Sequence, residues 1–103
     1  MSTLNASFPD PPTMILHATR RVVEVQGRSV ELSDRLFSML TLLAQGRVVT
    51  RSELARAARL EDQSSRRCES LLVDLRRIIG PDLIRNLRRR GWILVAAVEI
   101  RQD

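Results

Sequence analysis

The sequence predicts an α+β domain: a small N-terminal antiparallel sheet, a three-helix core, and a C-terminal β-hairpin with an arginine-rich tip. Three observations carry this. Residues 14–32 form short apolar, β-branched runs around a Gln26-Gly27 turn. Residues 33–79 hold three stretches of helical apolar spacing, each preceded by a capping residue. Residues 83–100 return to extended apolar character, interrupted by Arg88-Arg89-Arg90-Gly91.

The chain has 103 residues, 44% of them apolar, which suits one domain with one modest core. Only Phe8, Phe37 and Trp92 are aromatic, so that core must be mainly aliphatic. All 17 basic residues are Arg. Arg makes two-pronged contacts with phosphate and base edges that Lys does not, although codon bias is the larger reason for an Arg-only composition. The net charge of +5 is unevenly placed: residues 51–103 hold twelve Arg and eight acids. Between Arg76 and Gly91 there are six Arg and one acid, Asp82. A local basic patch of this kind meets phosphate, an acidic protein or a membrane surface, or is simply a solvated face.

Residues 1–13 are polar and proline-rich, and are expected to be a flexible segment; the domain proper is expected over residues 14–103. Met14–His17, Val22–Val25 and Ser29–Leu32 read as strands, with Gly27 taking positive φ in the turn. Ser33 reads as an N-cap, with Asp34 favourable at the positive end of the helix. Leu36, Phe37, Leu40, Leu43 and Ala44 give that helix its apolar face, and Gly46 ends it as a C′ residue. Thr50-Arg51-Ser52-Glu53 matches a capping box for a second helix running through Leu60. Glu61–Ser65 is a polar loop offering Ser64 or Ser65 as the next N-cap.

A third helix spans Arg66 to Ile79. Its buried stripe is Cys68, Leu71, Leu72, Leu75, Ile78 and Ile79, and Gly80-Pro81 stops it. Its opposite face carries Arg66, Ser70, Val73 and Arg77, flanked by Arg67 and Asp74. Leu83–Leu87 and Trp92–Ile100 read as two strands joined by the arginine tip.

Several function classes are excluded or weakened. The lone Cys68 forbids an intramolecular disulfide, and on the buried stripe it reads as a core thiol. His17 has no second ligand nearby, so neither metal nor cofactor is expected. No phosphate-cradling glycine loop, paired-histidine motif or nucleophile elbow is present, so the chain is not expected to be an enzyme. No stretch approaches the ~20 apolar residues of a membrane span, and the N-terminus has no signal-peptide pattern, so a cytoplasmic location is expected.

The order of these pieces resembles the winged helix-turn-helix DNA-binding effector domains of the OmpR/PhoB class of bacterial response regulators. The matching stretches are VELSDRLFSMLTLLAQGRVVTRSEL, SSRRCESLLVDLRRIIG and LIRNLRRRGWILV, between about Val22 and Val95. The resemblance implies sequence-specific binding of double-stranded DNA by a transcriptional regulator. It places the third helix in the major groove and the hairpin tip, the wing, in the minor groove. The implied DNA-binding residues are Arg66, Arg67, Ser70, Val73, Asp74 and Arg77 on the helix, and Asn86, Arg88, Arg89, Arg90 and Trp92 on the wing. Arg66 takes the family's phosphate contact and Arg88 its minor-groove arginine. Trp92 falls on the wing-end aromatic, which either packs the hairpin against the core or reaches a phosphate through its indole N–H.

Asp74 stands where the family has a basic residue, Val73 where a basic residue is common, Arg89 where the wing turn has glycine, and Arg59 where an aromatic closes the second helix. No receiver domain precedes the matching stretch. If these are all the residues of the protein, phosphorylation does not switch it in the family's usual way. The alternative function, motivated by Val73 and Asp74, is a winged-helix module for protein–protein contact with the transcription machinery or a partner regulator. RNA polymerase is a further partner through the loop of Glu61 and Asp62, which otherwise reads as a plain exposed loop. A homodimer through the apolar edge at Trp92–Ile100 is expected unless the N-terminal strands cover that edge.

Overall fold

The computed structural model describes residues 12–60 and 65–103. The elements run β1 (Thr13–His17), β2 (Val22–Val25), β3 (Arg28–Glu31), α1 (Asp34–Leu43), α2 (Arg51–Ala57), α3 (Ser65–Ile79), β4 (Ile84–Leu87), β5 (Gly91–Leu94) and β6 (Ala97–Arg101).

Local chemistry sets most boundaries. Gln26 and Gly27 both take positive φ, 51° and 76°, the signature of a two-residue type I′ turn between β2 and β3. The Ser33 hydroxyl accepts from Leu36 N–H and opens α1. At α2 both halves of the capping box are present: Glu53 N–H donates to Thr50 Oγ1, and Thr50 N–H donates to Glu53 Oε1. Arg47 donates to the same carboxylate, and together these hold Glu53 well below the usual carboxylate range, at about 2.

The second helix is shorter than its apolar pattern implies. Arg59 takes φ 59°, Arg59 N–H returns to Arg56 O and Leu60 N–H to Ala55 O. That is a Schellman ending with Arg in place of the usual Gly, and Leu60 is buried beyond it. Gly46, at φ 79°, turns the chain two residues past the α1 cap Ala44, one later than a C′ glycine. Helix α3 begins at Ser65 and not Arg66, so Ser65 is already helical. Ser64, Glu61 and Asp62 lie outside the described residues, as does the leading segment through residue 11. Pro12 and Thr13, assigned to that segment, are ordered: Pro12 O accepts from Ala97 N–H, and Thr13 pairs with Ala97.

The sheet differs from expectation in two respects: the C-terminal run is split, and the N-terminal sheet is mixed where an antiparallel one is expected. The run from Trp92 to Ile100 is two strands, not one. Trp92 and Leu94 pair with β4, then Val95 N–H donates to Leu83 O and the chain bends away. Beyond the bend, β6 joins β1 in parallel, giving a mixed four-stranded sheet in the order β3-β2-β1-β6. The N-terminal strands thus cover one side of the C-terminal edge. The core lies between this sheet and the helices: Met14, Leu16 and Val23 meet Met39, Leu40, Leu43, Leu54, Leu75 and Ile79, all fully buried. Among the described residues no helix is long and apolar enough to cross a membrane.

Candidate nucleic-acid interface

Helix α3 presents two opposed stripes. Cys68, Leu72, Leu75 and Ile79 are buried, while Arg66, Ser70, Val73 and Arg77 are exposed. Spacings of four, three and four residues put those four on one line down the helix, since seven residues make nearly two turns. Arg67 and Asp74 flank this line on one side. Glu69 and Arg76 flank it on the other, and that side faces the wing.

The wing is the β4–β5 hairpin, with Asn86 opposite Trp92 and Leu87 opposite Gly91. Arg88, Arg89 and Arg90 form its exposed tip, closed by Arg90 N–H donating to Leu87 O at 2.8 Å. Arg89, third residue of this turn, has φ 65°. A left-handed conformation there suits glycine, so Arg89 holds a strained backbone at the tip. Arg66, Arg88, Arg89 and Arg90 pair with no carboxylate among the described residues. Asp74 lies 3.9 Å from Arg77 and partly offsets it.

Ile84 and Leu94 root the wing in the core, and a backbone bridge ties it to the segment before α2. Trp92 N–H donates to Val49 O and Val49 N–H donates to Trp92 O, both at 2.8 Å. Gly91 lies at this crossing with φ 138°. A Cβ there would collide with the Val49 carbonyl oxygen and lie 2.8 Å from its carbon. Glycine is therefore required by both backbone conformation and close approach. The Trp92 side chain is only 8% exposed, and the Arg51 guanidinium sits over its ring, 5.6 Å from the centroid. Arg51 also donates to Glu69 Oε1 at 2.7 Å, tying α2 and α3 together above the indole. Burial favours the packing role for Trp92 over a phosphate contact.

A groove connects helix and wing. One concavity of about 370 Å³ is lined by Thr50, Arg51, the wing tip and Trp92. A second lies between α3 and the wing, lined by Glu69, Val73, Arg76, Asn86 and Trp92, and shares Asn86 and Trp92 with the first. A third continues from Val73 and Arg76 to Arg77 and Pro81. Of the expected residues, the groove brings together Val73, Arg77, Asn86, Arg88, Arg89, Arg90 and Trp92. Arg66, Arg67, Ser70 and Asp74 stay on exposed α3 outside its lining.

Arg51, Glu69 and Arg76 were missed by sequence reasoning. Arg51 was visible only as a member of the capping box. Arg76 is half-buried, donating to Pro81 O while its Nε has no partner. Its place beside the groove follows from the angle between α3 and the wing, which no local pattern encodes. Among the described residues no group of His, Cys, Asp and Glu could hold a metal ion.

Solved structures share this fold. The DNA-binding domain of the response regulator AdeR, in complex with an intercistronic region, has a TM-score of 0.70 and 18% identity, covering 81% of this chain and 94% of that one. The DNA-binding domain of E. coli CadC gives 0.67 and 20%, covering 84% and 94%. The DNA-binding domain of CpxR from E. coli gives 0.61 and 29%, covering 80% and 89%. No family model and no curated protein sequence matches the chain.

Proposed function

We propose that this domain, which has the winged-helix fold of the OmpR/PhoB-type response-regulator effectors, binds double-stranded DNA sequence-specifically and regulates transcription. The observation that carries the reading is the groove from Arg77 and Val73 on α3 through Asn86 to the Arg88–Arg90 tip, whose guanidinium groups meet no carboxylate among the described residues. A helix of this kind fits the major groove with its exposed line against base edges. The wing arginines then reach the flanking minor groove, where narrow A·T-rich DNA concentrates negative potential. Arg66, near the helix start, is suited to a phosphate, and Asp74 can accept from cytosine N4. The AdeR DNA-binding domain, solved in complex with an intercistronic region, has the same fold, which supports DNA binding.

Selection of duplexes from a random pool tests the reading. A defined motif should emerge, and affinity for it should fall steeply with salt as phosphate contacts release counterions. Arg88→Ala should cost about 1–3 kcal/mol and relax preference for the A·T-rich flank. No detectable binding at ~50 mM salt would refute the proposal. Two copies on tandem half-sites are the arrangement we infer on DNA.

A second reading, a protein-contact module acting on RNA polymerase or a partner regulator, is favoured by one observation. Val73 is 51% exposed at the centre of the α3 face, with an acid beside it. Recovery of one protein partner together with absent DNA binding would support it.

A further inference from the structure

The four-stranded sheet ends on β3 at one side and β6 at the other. Among the described residues no strand pairs with the outward edge of β6, which is built unlike an ordinary blunted edge. Ala97 N–H donates to Pro12 O and Arg101 O accepts from Ala18 N–H. In a strand the N–H and C=O of one residue point the same way and alternate along the chain. The backbones of Ala97, Glu99 and Arg101 therefore face β1, while those of Val98 and Ile100 face outward. The register sets Val98 beside Met14 and Ile100 beside Leu16, so both side chains lie on the inner, apolar face of the sheet. Met14 and Leu16 are fully buried, yet Ile100 is 49% exposed. The apolar layer runs past the cover that the helices supply. On the outer face Glu99 and Arg101, two residues apart, form an ion pair at 2.6 Å.

We propose that β6 pairs antiparallel with β6 of a second copy of this chain, about a two-fold axis through Ile100. In this register Ile100 meets the second copy's Ile100 as a hydrogen-bonded pair, exchanging both outward backbone bonds. The two half-exposed isoleucines cover one another and extend the inner face into a continuous eight-stranded sheet. On the other face Glu99 comes opposite the second copy's Arg101, and Arg101 opposite its Glu99. The four charges then alternate in sign along and across the strands, which stabilises this pairing. Centring the pairing on Val98 instead would put Glu99 opposite Ala97 and lose that complementarity. The same charges disfavour unrelated strands, as edge charges generally do, while admitting the chain's own sequence. Strand β3 has no matching feature, since its Val30 is half-buried between exposed Ser29 and Glu31.

The interface does not depend on DNA binding, and its test is made without DNA. Sedimentation velocity should show a dimer that grows with concentration. Ile100→Pro removes the outward N–H and the apolar side chain but spares the bonds that face β1. It should be monomeric while keeping the wild-type circular dichroism and melting transition. Register is read by cross-linking with a short bismaleimide. Ile100→Cys places two thiols on Cα atoms about 5.5 Å apart. Val98→Cys places them four residues apart along the strands, roughly 13 Å. Cross-linked dimer should form from the first and little from the second, with wild type silent because Cys68 is buried. A wild type that is monomeric at every concentration overturns the proposal, as does a folded Ile100→Pro that still dimerises. Equal cross-linking at both positions also overturns it. If dimers appear only after residues 1–11 are removed, the chain's own leading segment occupies the edge and the proposal fails.

Discussion

Gly91→Ala is the sharpest test of how the wing is held. Two costs arise at one position. At φ 138° a residue with a Cβ occupies backbone space essentially reserved for glycine, which costs about 1–3 kcal/mol. The new methyl also collides with the Val49 carbonyl, so the hairpin must lift from the strand before α2. Lifting breaks the paired Val49–Trp92 hydrogen bonds, each worth about 1 kcal/mol. Together these give a loss of about 3–5 kcal/mol, a large share of the ~5–15 kcal/mol that holds a domain of this size. Urea denaturation followed by far-ultraviolet circular dichroism and by the fluorescence of Trp92, the single tryptophan, measures the loss directly. Gly27→Ala is the control: its φ of 76° is also left-handed, but nothing lies within 4 Å of its Cβ, so about 1–2 kcal/mol is expected. If Gly91→Ala costs no more than Gly27→Ala, the close crossing of wing and strand is wrong.

Other outcomes follow from the same geometry. Arg89→Gly should leave the fold as stable or up to about 1 kcal/mol more stable, because relief of the left-handed backbone outweighs the added chain entropy of glycine. Its DNA affinity should fall, with a shallower salt dependence, as measured by fluorescence anisotropy. Leu75→Ala, at a fully buried site on α3, should cost about 2–5 kcal/mol in the same denaturation assay. Val73→Ala on the exposed face should stay within about 0.5 kcal/mol of wild type while altering the selected DNA motif.

Stability should also depend on pH through His17. Its buried imidazole lies between Asp103, 2.8 Å from Nδ1, and Glu24 at Nε2. Hydrogen bonds to Asp103 and then Glu24 raise its pKa above 6.5, against the opposing effects of burial and of the Arg20 charge. This contribution is complete below pH 6.5 and is lost as pH rises through the elevated value. His17→Gln should flatten that alkaline slope in thermal melts. On the acid side, Glu53 contributes above 4.5 and loses its contribution as pH falls toward about 2, which Glu53→Gln should abolish.

Much of this protein is written in short stretches. Ser33, the Thr50–Glu53 box, Gln26-Gly27 and Gly80-Pro81 each act on backbone groups within a few residues, so the positions of α1, α2, the first hairpin and the end of α3 could be read locally. The α3 periodicity likewise separated its buried stripe from Arg66, Ser70, Val73 and Arg77 without any knowledge of what either side faces. What lay beyond the sequence depends on partners far along the chain. The break at Val95–Ala96 exists because Leu83 draws one half of the run into the wing and Thr13–His17 draws the other half into the sheet. Trp92 is buried because Val49 and Arg51, some forty residues earlier, meet it. The groove joining Val73 to the arginine tip, and the half-exposed Ile100 on β6, arise from how helices and sheets pack. Local hydrogen bonding and periodicity need only near neighbours, whereas packing angles and edge coverage emerge once the whole core has closed.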